Sequence, residues 1–221
     1  MLNLKNKCVG LVFALKKEAK PFFEKDYSII STEPFNIYKG KIENLDIILA
    51  ISGLGKVKAS ACTQYLLNVF PLDFIINAGT CGGICPKLNI GDVLLANLCV
   101  EYDFKSISEG IPIIPIHSFF INIALSLEIP LAVLGSADSN ADNEEKKNQL
   151  HQRGIQIVDW EGTAILKTSK INKKETAILK VITDLSSTNF EQEFLNNLNK
   201  CRYKLSEVVE KFILNCYYQL R

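Results

Sequence analysis

Three observations predict an α/β fold, read as one domain over residues 1–221 and built on a mixed, largely parallel sheet. Short apolar runs alternate with helix-period segments through most of the chain, the pattern of strands joined by crossover helices. The stretch "IENLDIIL" carries a turn at Glu43–Leu45 between two such runs, which reads as a hairpin and the one place where neighbouring strands look antiparallel. From Phe190 onward Phe194, Leu198, Cys201, Leu205, Val208, Phe212 and Cys216 recur every three or four positions, so one long amphipathic helix closes the chain and packs on the sheet.

Taken in order, the strand candidates are Cys8–Ala14, Phe35–Gly40, Asp46–Ile51, Phe74–Ala78, Asp92–Cys99, Leu131–Ser136, Ile155–Val158 and Ala177–Thr183. Each is a short run rich in β-branched or bulky apolar residues, bounded by Gly, Pro, Asn, Asp or Ser. Helical patterns lie between them at about 15–24, 56–70, 117–128, 142–153 and 160–170. Two stretches imitate membrane or export signals. The apolar run after the first lysines is followed at once by Lys16, Lys17 and Glu18 with no small-residue cleavage site, so it reads as a buried first strand. Residues 111–127 carry no charge, yet Pro112 and Pro115 break them and Asn122 interrupts their apolar face, so they read as core.

With 221 residues, 48% of them hydrophobic, the chain is long enough for a substantial buried core. Its 25 basic and 24 acidic residues are scattered without blocks, for a net charge of +1, which gives no footprint for nucleic acid or an anionic membrane. A small neutral or zwitterionic ligand fits better. The seven cysteines include no Cys-x-x-Cys pair and only His117 and His151 could join them, so no metal site is expected. Most of these thiols sit in apolar runs, as buried free cysteines do in a reducing cytoplasm.

Ligands of α/β sheets gather beyond the carboxyl ends of the strands. The predicted strand ends deliver "ALKKEAKPF", "SGLGKVKA", "AGTCGG", "GSADSNAD", "VDWEGTAI" and "ITDLSS", among which three acids stand out: Glu18, Glu161 and Asp184. Each taken singly is explained as well by a helix cap or dipole partner. Gly53 and Gly55 are explained equally by a tight turn or an anion site, and Lys58 breaks any dinucleotide-binding glycine fingerprint.

Together and in order, "GLVFALKKEAKPF", "SGLGKVKA", "IINAGTCGGICPKLNIGDVLLA", "DWEGTAIL" and "VITDLSS" resemble the purine nucleoside phosphorylase superfamily and, within it, the methylthioadenosine/S-adenosylhomocysteine nucleosidases. The correspondence spans about residues 8 to 190. It implies a three-layer α/β/α sandwich with a central mixed sheet, a purine nucleoside as substrate, no cofactor, and a homodimer whose partner helps cover the site. It also implies roles. Asp184, with Thr183 beside it, would serve purine N7, a task that needs a carboxyl whose pKa burial has raised. Glu161 would accept hydrogen bonds from the ribose hydroxyls, and Glu18 would take the proton of the attacking water. "AGTCGG" would border ribose and nucleophile, with Thr80 offering a hydroxyl and Cys81 and Gly82 a close backbone approach.

Phosphorylases of the superfamily hold phosphate with arginines, one of them where this chain has Asn77; the arginines here are Arg153, Arg202 and Arg221, none inside a matched motif. Hydrolysis is therefore expected over phosphorolysis, with Lys16, Lys17 and Lys56 as the alternative phosphate ligands. Trp160 stands where the nucleosidases carry a methionine beneath the sugar, Lys180 where they carry an arginine near the nucleophile, and Asn140 or a neighbour where they carry a base-stacking phenylalanine. The substrate loop after Tyr102 is short. Two other readings remain: a futalosine hydrolase acting on a 6-oxopurine nucleoside, and a purine-nucleoside binder without turnover, which would have no need of Glu18.

Overall fold

The computed structural model describes residues 4–104, 113–141 and 143–220. Most of the segment after Tyr102, the start at Asp142 of the fourth helical pattern, and Arg221 lie outside the described residues. In chain order the elements are β1 (Cys8–Phe13), α1 (Lys20–Phe23), β2 (Ser28–Ser31), β3 (Asn36–Ile42), β4 (Leu45–Ile51), α2 (Lys56–Val69), β5 (Phe74–Gly83), β6 (Val93–Glu101), β7 (Ile113–Pro115), α3 (Ser118–Ser126), β8 (Leu131–Ser136), α4 (Glu144–Gln152), β9 (Ile157–Asp159), α5 (Gly162–Ile171), β10 (Thr176–Asp184) and α6 (Phe190–Gln219).

The strands make one mixed sheet in the order β10-β6-β8-β9-β5-β1-β4-β3-β2. Because β10 also pairs with β5, the strands β5, β10, β6, β8 and β9 close into a ring, and β1, β4, β3 and β2 extend from it as a wing. The expected hairpin is present between β3 and β4, turning at Glu43 with φ 50. It is not the one antiparallel contact: β2–β3, β5–β9, β6–β7 and β6–β10 are antiparallel too. Three of these join strands that are distant in sequence or not connected by a tight turn, so no local signal announces them.

Alternation along the strands sorts the core into two faces. Val9, Leu11 and Phe13 of β1 pack in one cluster with Phe22 of α1, Phe120 of α3 and Leu205, Val209 and Phe212 of α6. Cys8 and Val12 pack in the other with Ala59, Cys62 and Leu66 of α2 and Ile165 of α5. Helices therefore cover the sheet on both sides, which makes the three layers. Burying each large apolar side chain in these clusters contributes about 1.5–3 kcal/mol. Among the described residues no helix is long and apolar enough to cross a membrane.

Two local expectations are corrected. The helix expected at 15–24 shrinks to α1, with Pro21 in its first turn, where the missing N–H costs nothing. Residues 15–19 form a turn instead, in which Glu18 N donates to Leu15 O. The "AGTCGG" segment is not a loop after a strand ending at Ala78. β5 runs on to Gly83, paired with β10 on one side and with β9 on the other.

Candidate active site

The carboxyl ends of β1, β5, β9 and β10 surround a cavity of about 380 Å³. Glu18, Glu161, Asp184, Thr80, Cys81, Gly82, Trp160 and Lys180 all line it. Thr183 does not. It is fully buried behind Asp184, its hydroxyl reaching Cys81 O at 3.4 Å and Asp184 Oδ2 at 3.2 Å.

Glu18 is held by three donors. Oε1 accepts from Thr80 N at 2.8 Å and Thr80 Oγ1 at 2.6 Å, while Oε2 accepts from Leu15 N at 2.9 Å. The carboxylate is 3% exposed and fixed in orientation, as a proton acceptor in a cavity wall should be. A Cβ on Gly79 would stand 3.2 Å from Glu18 Oε1 and 3.6 Å from Lys180 Nζ, so the bare glycine backbone lets both groups face the cavity there.

Glu161 sits at the start of α5, and its Oε1 accepts from Gly55 N at 2.9 Å. Gly55 itself has φ 92 and caps the start of α2, so the "SGLGKVKA" glycines serve a turn whose amide faces a carboxylate. Glu161 Oε2 has no partner among the described residues and is open to a ligand. Burial first, and then the charge of Asp159, push the Glu161 pKa up, with Lys180 acting the other way.

Asp184, the last residue of β10, accepts from Ser186 N through Oδ1 at 3.0 Å and from Thr183 Oγ1 through Oδ2. Burial raises its pKa to about 6 against the lowering effect of those two hydrogen bonds. Such a carboxyl is a proton donor within reach of neutral pH.

Sequence reasoning missed Asp159. Its Oδ2 forms an ion pair with Lys180 Nζ at 2.7 Å, both side chains being 2% exposed. Asp159 Oδ1 accepts from Ser136 Oγ at 2.5 Å and Oδ2 from Gly162 N at 2.9 Å. Burial acts to lower the Lys180 pKa, but Asp159, Glu161 and Glu18 outweigh it and hold the ammonium charged. The residue was in view in "DWEG", yet a carboxylate beside another gives no sequence sign of which one takes the buried cation. Phe190 and Phe194 were also missed: they were read as the sheet-packing face of α6, and both line the cavity.

None of the described arginines lines the cavity. Arg202 donates to Lys17 O, and Arg153 caps α4. Asn77, at the place of a phosphate-binding arginine, donates to Val12 O instead. Lys56 is paired outside the cavity with Glu101 and Asp103, each at 2.7 Å, and Lys16 lies over the rings of Phe23 and Tyr38. Lys17 does line the cavity, with its ammonium 4.4 Å from the Phe194 ring centre. Among the described residues, Glu18, Asp159, Glu161, Asp184 and Glu191 share the cavity with only Lys17 and Lys180 as cations, an acidic balance that disfavours a phosphate dianion.

The family description "Phosphorylase superfamily" matches residues 9–129, just over half of the chain. The chain belongs to the phosphorylase superfamily. Among curated members, the 5′-methylthioadenosine/S-adenosylhomocysteine nucleosidase of Staphylococcus carnosus is 28% identical over 220 residues, covering 91% of this chain and 96% of that one. Among solved structures of the superfamily fold, S-adenosylhomocysteine nucleosidase from Streptococcus pyogenes in complex with 5-methylthiotubericidin superposes with a TM-score of 0.88 at 20% identity, over 96% of this chain and 98% of that one. Native futalosine hydrolase of Helicobacter pylori gives a TM-score of 0.84 at 22% identity, over 96% and 98%. These likenesses establish the mixed-sheet, nucleoside phosphorylase-like fold that the motif order implied.

Proposed function

We propose that this phosphorylase-superfamily chain hydrolyses the N-glycosidic bond of an adenine nucleoside of the methylthioadenosine/S-adenosylhomocysteine type and releases free adenine. The observation that carries this reading is the convergence of Glu18, Glu161 and Asp184 on one acidic cavity that no described arginine enters. The C1′–N9 bond breaks with its electron pair going to the purine, and the proton of Asp184 passes to N7 so that the base leaves neutral. Positive charge develops on the sugar, where the free Oε2 of Glu161 accepts from the ribose hydroxyls and is worth more in the transition state than before it. Water then bonds to C1′ and gives its proton to Glu18, and that proton restores Asp184 through solvent. The Staphylococcus carnosus relative, which is named for this activity, supports the same reading.

The base follows from Asp184. A protonated carboxyl donates to N7 through one oxygen and accepts from the 6-amino group through the other, whereas a 6-oxo group meets acceptor with acceptor. Such a mismatch at a buried site costs about 1–3 kcal/mol. We also propose a homodimer, supported by Val57 and Ile171, which are 79% and 81% exposed and border one surface depression between α2 and α5.

The deciding experiment incubates the purified chain with methylthioadenosine, S-adenosylhomocysteine, adenosine, inosine and futalosine, with and without phosphate, and identifies base and sugar by chromatography. Free sugar and adenine in amounts independent of phosphate are expected. Ribosyl 1-phosphate as the main product would overturn hydrolysis, preferential release of hypoxanthine would favour the futalosine reading, and no release at all would favour a binder.

A further inference from the structure

Ser186 has no assigned task, yet it is built into the wall beside Asp184. It is 4% exposed, lines the cavity, and its hydroxyl has no partner among the described residues. The residue is buried but its hydroxyl oxygen is not sealed in the core, so the hydroxyl is left open to the cavity and to whatever occupies it.

The backbone there is also unusual. Ser186 has φ 51, a left-handed conformation that a residue with a Cβ seldom adopts, and such conformations cluster at ligand sites. The conformation turns Ser186 N onto Asp184 Oδ1. Ser186 Oγ and Asp184 Oδ1 both come within 3 Å of the point where Gly82 would carry a Cβ. The bare backbone of Gly82 therefore lets a hydroxyl and a carboxyl oxygen both approach the strand at one point of the cavity wall.

We propose that Ser186 is a second base-recognition residue, whose hydroxyl reads the 6-position of the purine that Asp184 holds at N7. This rests on the reading of Asp184 given above and deepens it. A hydroxyl can rotate to accept from a 6-amino group or to donate to a 6-oxo group, whereas the neighbouring Asp184 oxygen can only accept. For an adenine ligand the hydroxyl duplicates what Asp184 already supplies. For a hypoxanthine ligand it supplies the donor that the 6-oxo group does not receive from Asp184. Ser186 therefore narrows the preference for 6-aminopurines that Asp184 alone would impose, and the site admits both classes of base.

The test titrates free adenine and free hypoxanthine by calorimetry into wild type, Ser186→Ala and Ser186→Gly, with thermal unfolding to check that each variant is folded. Both variants lose the hydroxyl, but glycine relieves the left-handed strain and alanine keeps it, so a purely backbone role would separate them. The expected result is a loss of about ten- to a hundredfold in hypoxanthine affinity in both variants, with adenine changed less than about threefold. Equal weakening of the two bases, unchanged hypoxanthine binding, divergence of the two variants, or no binding of either base to wild type would overturn the proposal. Cleavage of the adenine and hypoxanthine nucleosides is measured alongside. Absence of turnover in wild type would sink the hydrolase reading, while the base titrations would still decide the role of Ser186.

Discussion

Asp184→Asn tests the proton-donor reading without any substrate. Burial moves the Asp184 pKa from 3.8 to about 6, so the folded chain favours the protonated carboxyl. Stability from this group is fully present below the unfolded value, is lost as pH rises between about 3.8 and 6, and is flat above. At about 1.4 kcal/mol for each pH unit between the two values, the whole loss is about 3 kcal/mol. Asp184 is 8% exposed, so solvent screening takes little from this figure. At pH 4.5 about a third of the loss has already occurred, which leaves about 2 kcal/mol between pH 4.5 and 7.5. Asparagine cannot titrate. The stability of Asp184→Asn minus that of wild type should therefore rise by about 2 kcal/mol over that interval, equivalent to about 4–8 °C in Tm for a chain of this size. Urea unfolding of the two proteins at pH 4.5, 6 and 7.5 measures it, and titration of Glu161 and the surface acids, common to both, cancels in the difference. A difference that stays constant within about 0.5 kcal/mol would show that Asp184 titrates like a solvated carboxyl and would remove its claim to be the acid.

The other consequences are shorter. Glu18→Gln should keep the fold and nucleoside binding but slow hydrolysis by about 10²-fold or more, the range for a lost general base, and wild-type turnover would take Glu18 out of the mechanism. Asp159→Asn leaves the Lys180 ammonium buried without its partner and should destabilise by about 3–5 kcal/mol in urea unfolding; Asp159→Asn with Lys180→Met should cost less than the two single changes added, and simple additivity would deny the coupling. Gly82→Ala places a methyl group against Ser186 Oγ and Asp184 Oδ1 and should lower kcat/KM at least about tenfold, a prediction that unchanged kinetics would defeat.

What the sequence made legible depended on how local each signal is. The Glu43 hairpin, the periodicity of α6 and most strands were readable because propensity and pattern act over a few neighbouring residues. The ring formed by β5, β10, β6, β8 and β9 was not, since it is made by pairings between segments far apart in the chain. Two short strands, β2 and β7, escaped for the related reason that their partners define them. In the site, Glu18, Glu161 and Asp184 could be singled out because each lies at a strand end within a recognisable motif. Asp159 and Ser186 could not, because what distinguishes them is a buried ion pair in one case and a single backbone angle in the other. Phe190 and Phe194 obey the same apolar period as the core-facing residues of α6, and periodicity does not say where a helix outruns the sheet it packs on.

The extended β5 has a consequence for how Asp184 comes to face the cavity. β10 and β5 run parallel in register from Thr176 opposite Ile75 to Ile182 opposite Cys81, and then the ladder slips so that Asp184 stands opposite Gly82. Thr183 is the extra residue of this bulge. In an unbroken ladder Thr183 would oppose Gly82, and Asp184 would oppose Gly83, whose missing Cβ points at Ile182 and Leu185. The carboxyl would then stand on the side of the strand lined by Ile182 and Leu185. The slip sets it instead against the one glycine whose vacant side is shared with the Ser186 hydroxyl, while Thr183 turns its own hydroxyl to the Cys81 carbonyl and Asp184 Oδ2. Bulges beside active sites re-aim a side chain in this way. The slip thus selects which glycine Asp184 stands against, and Gly79 and Gly82 of "AGTCGG" are needed bare within the strand because Glu18 and Asp184 occupy the space their side chains would take.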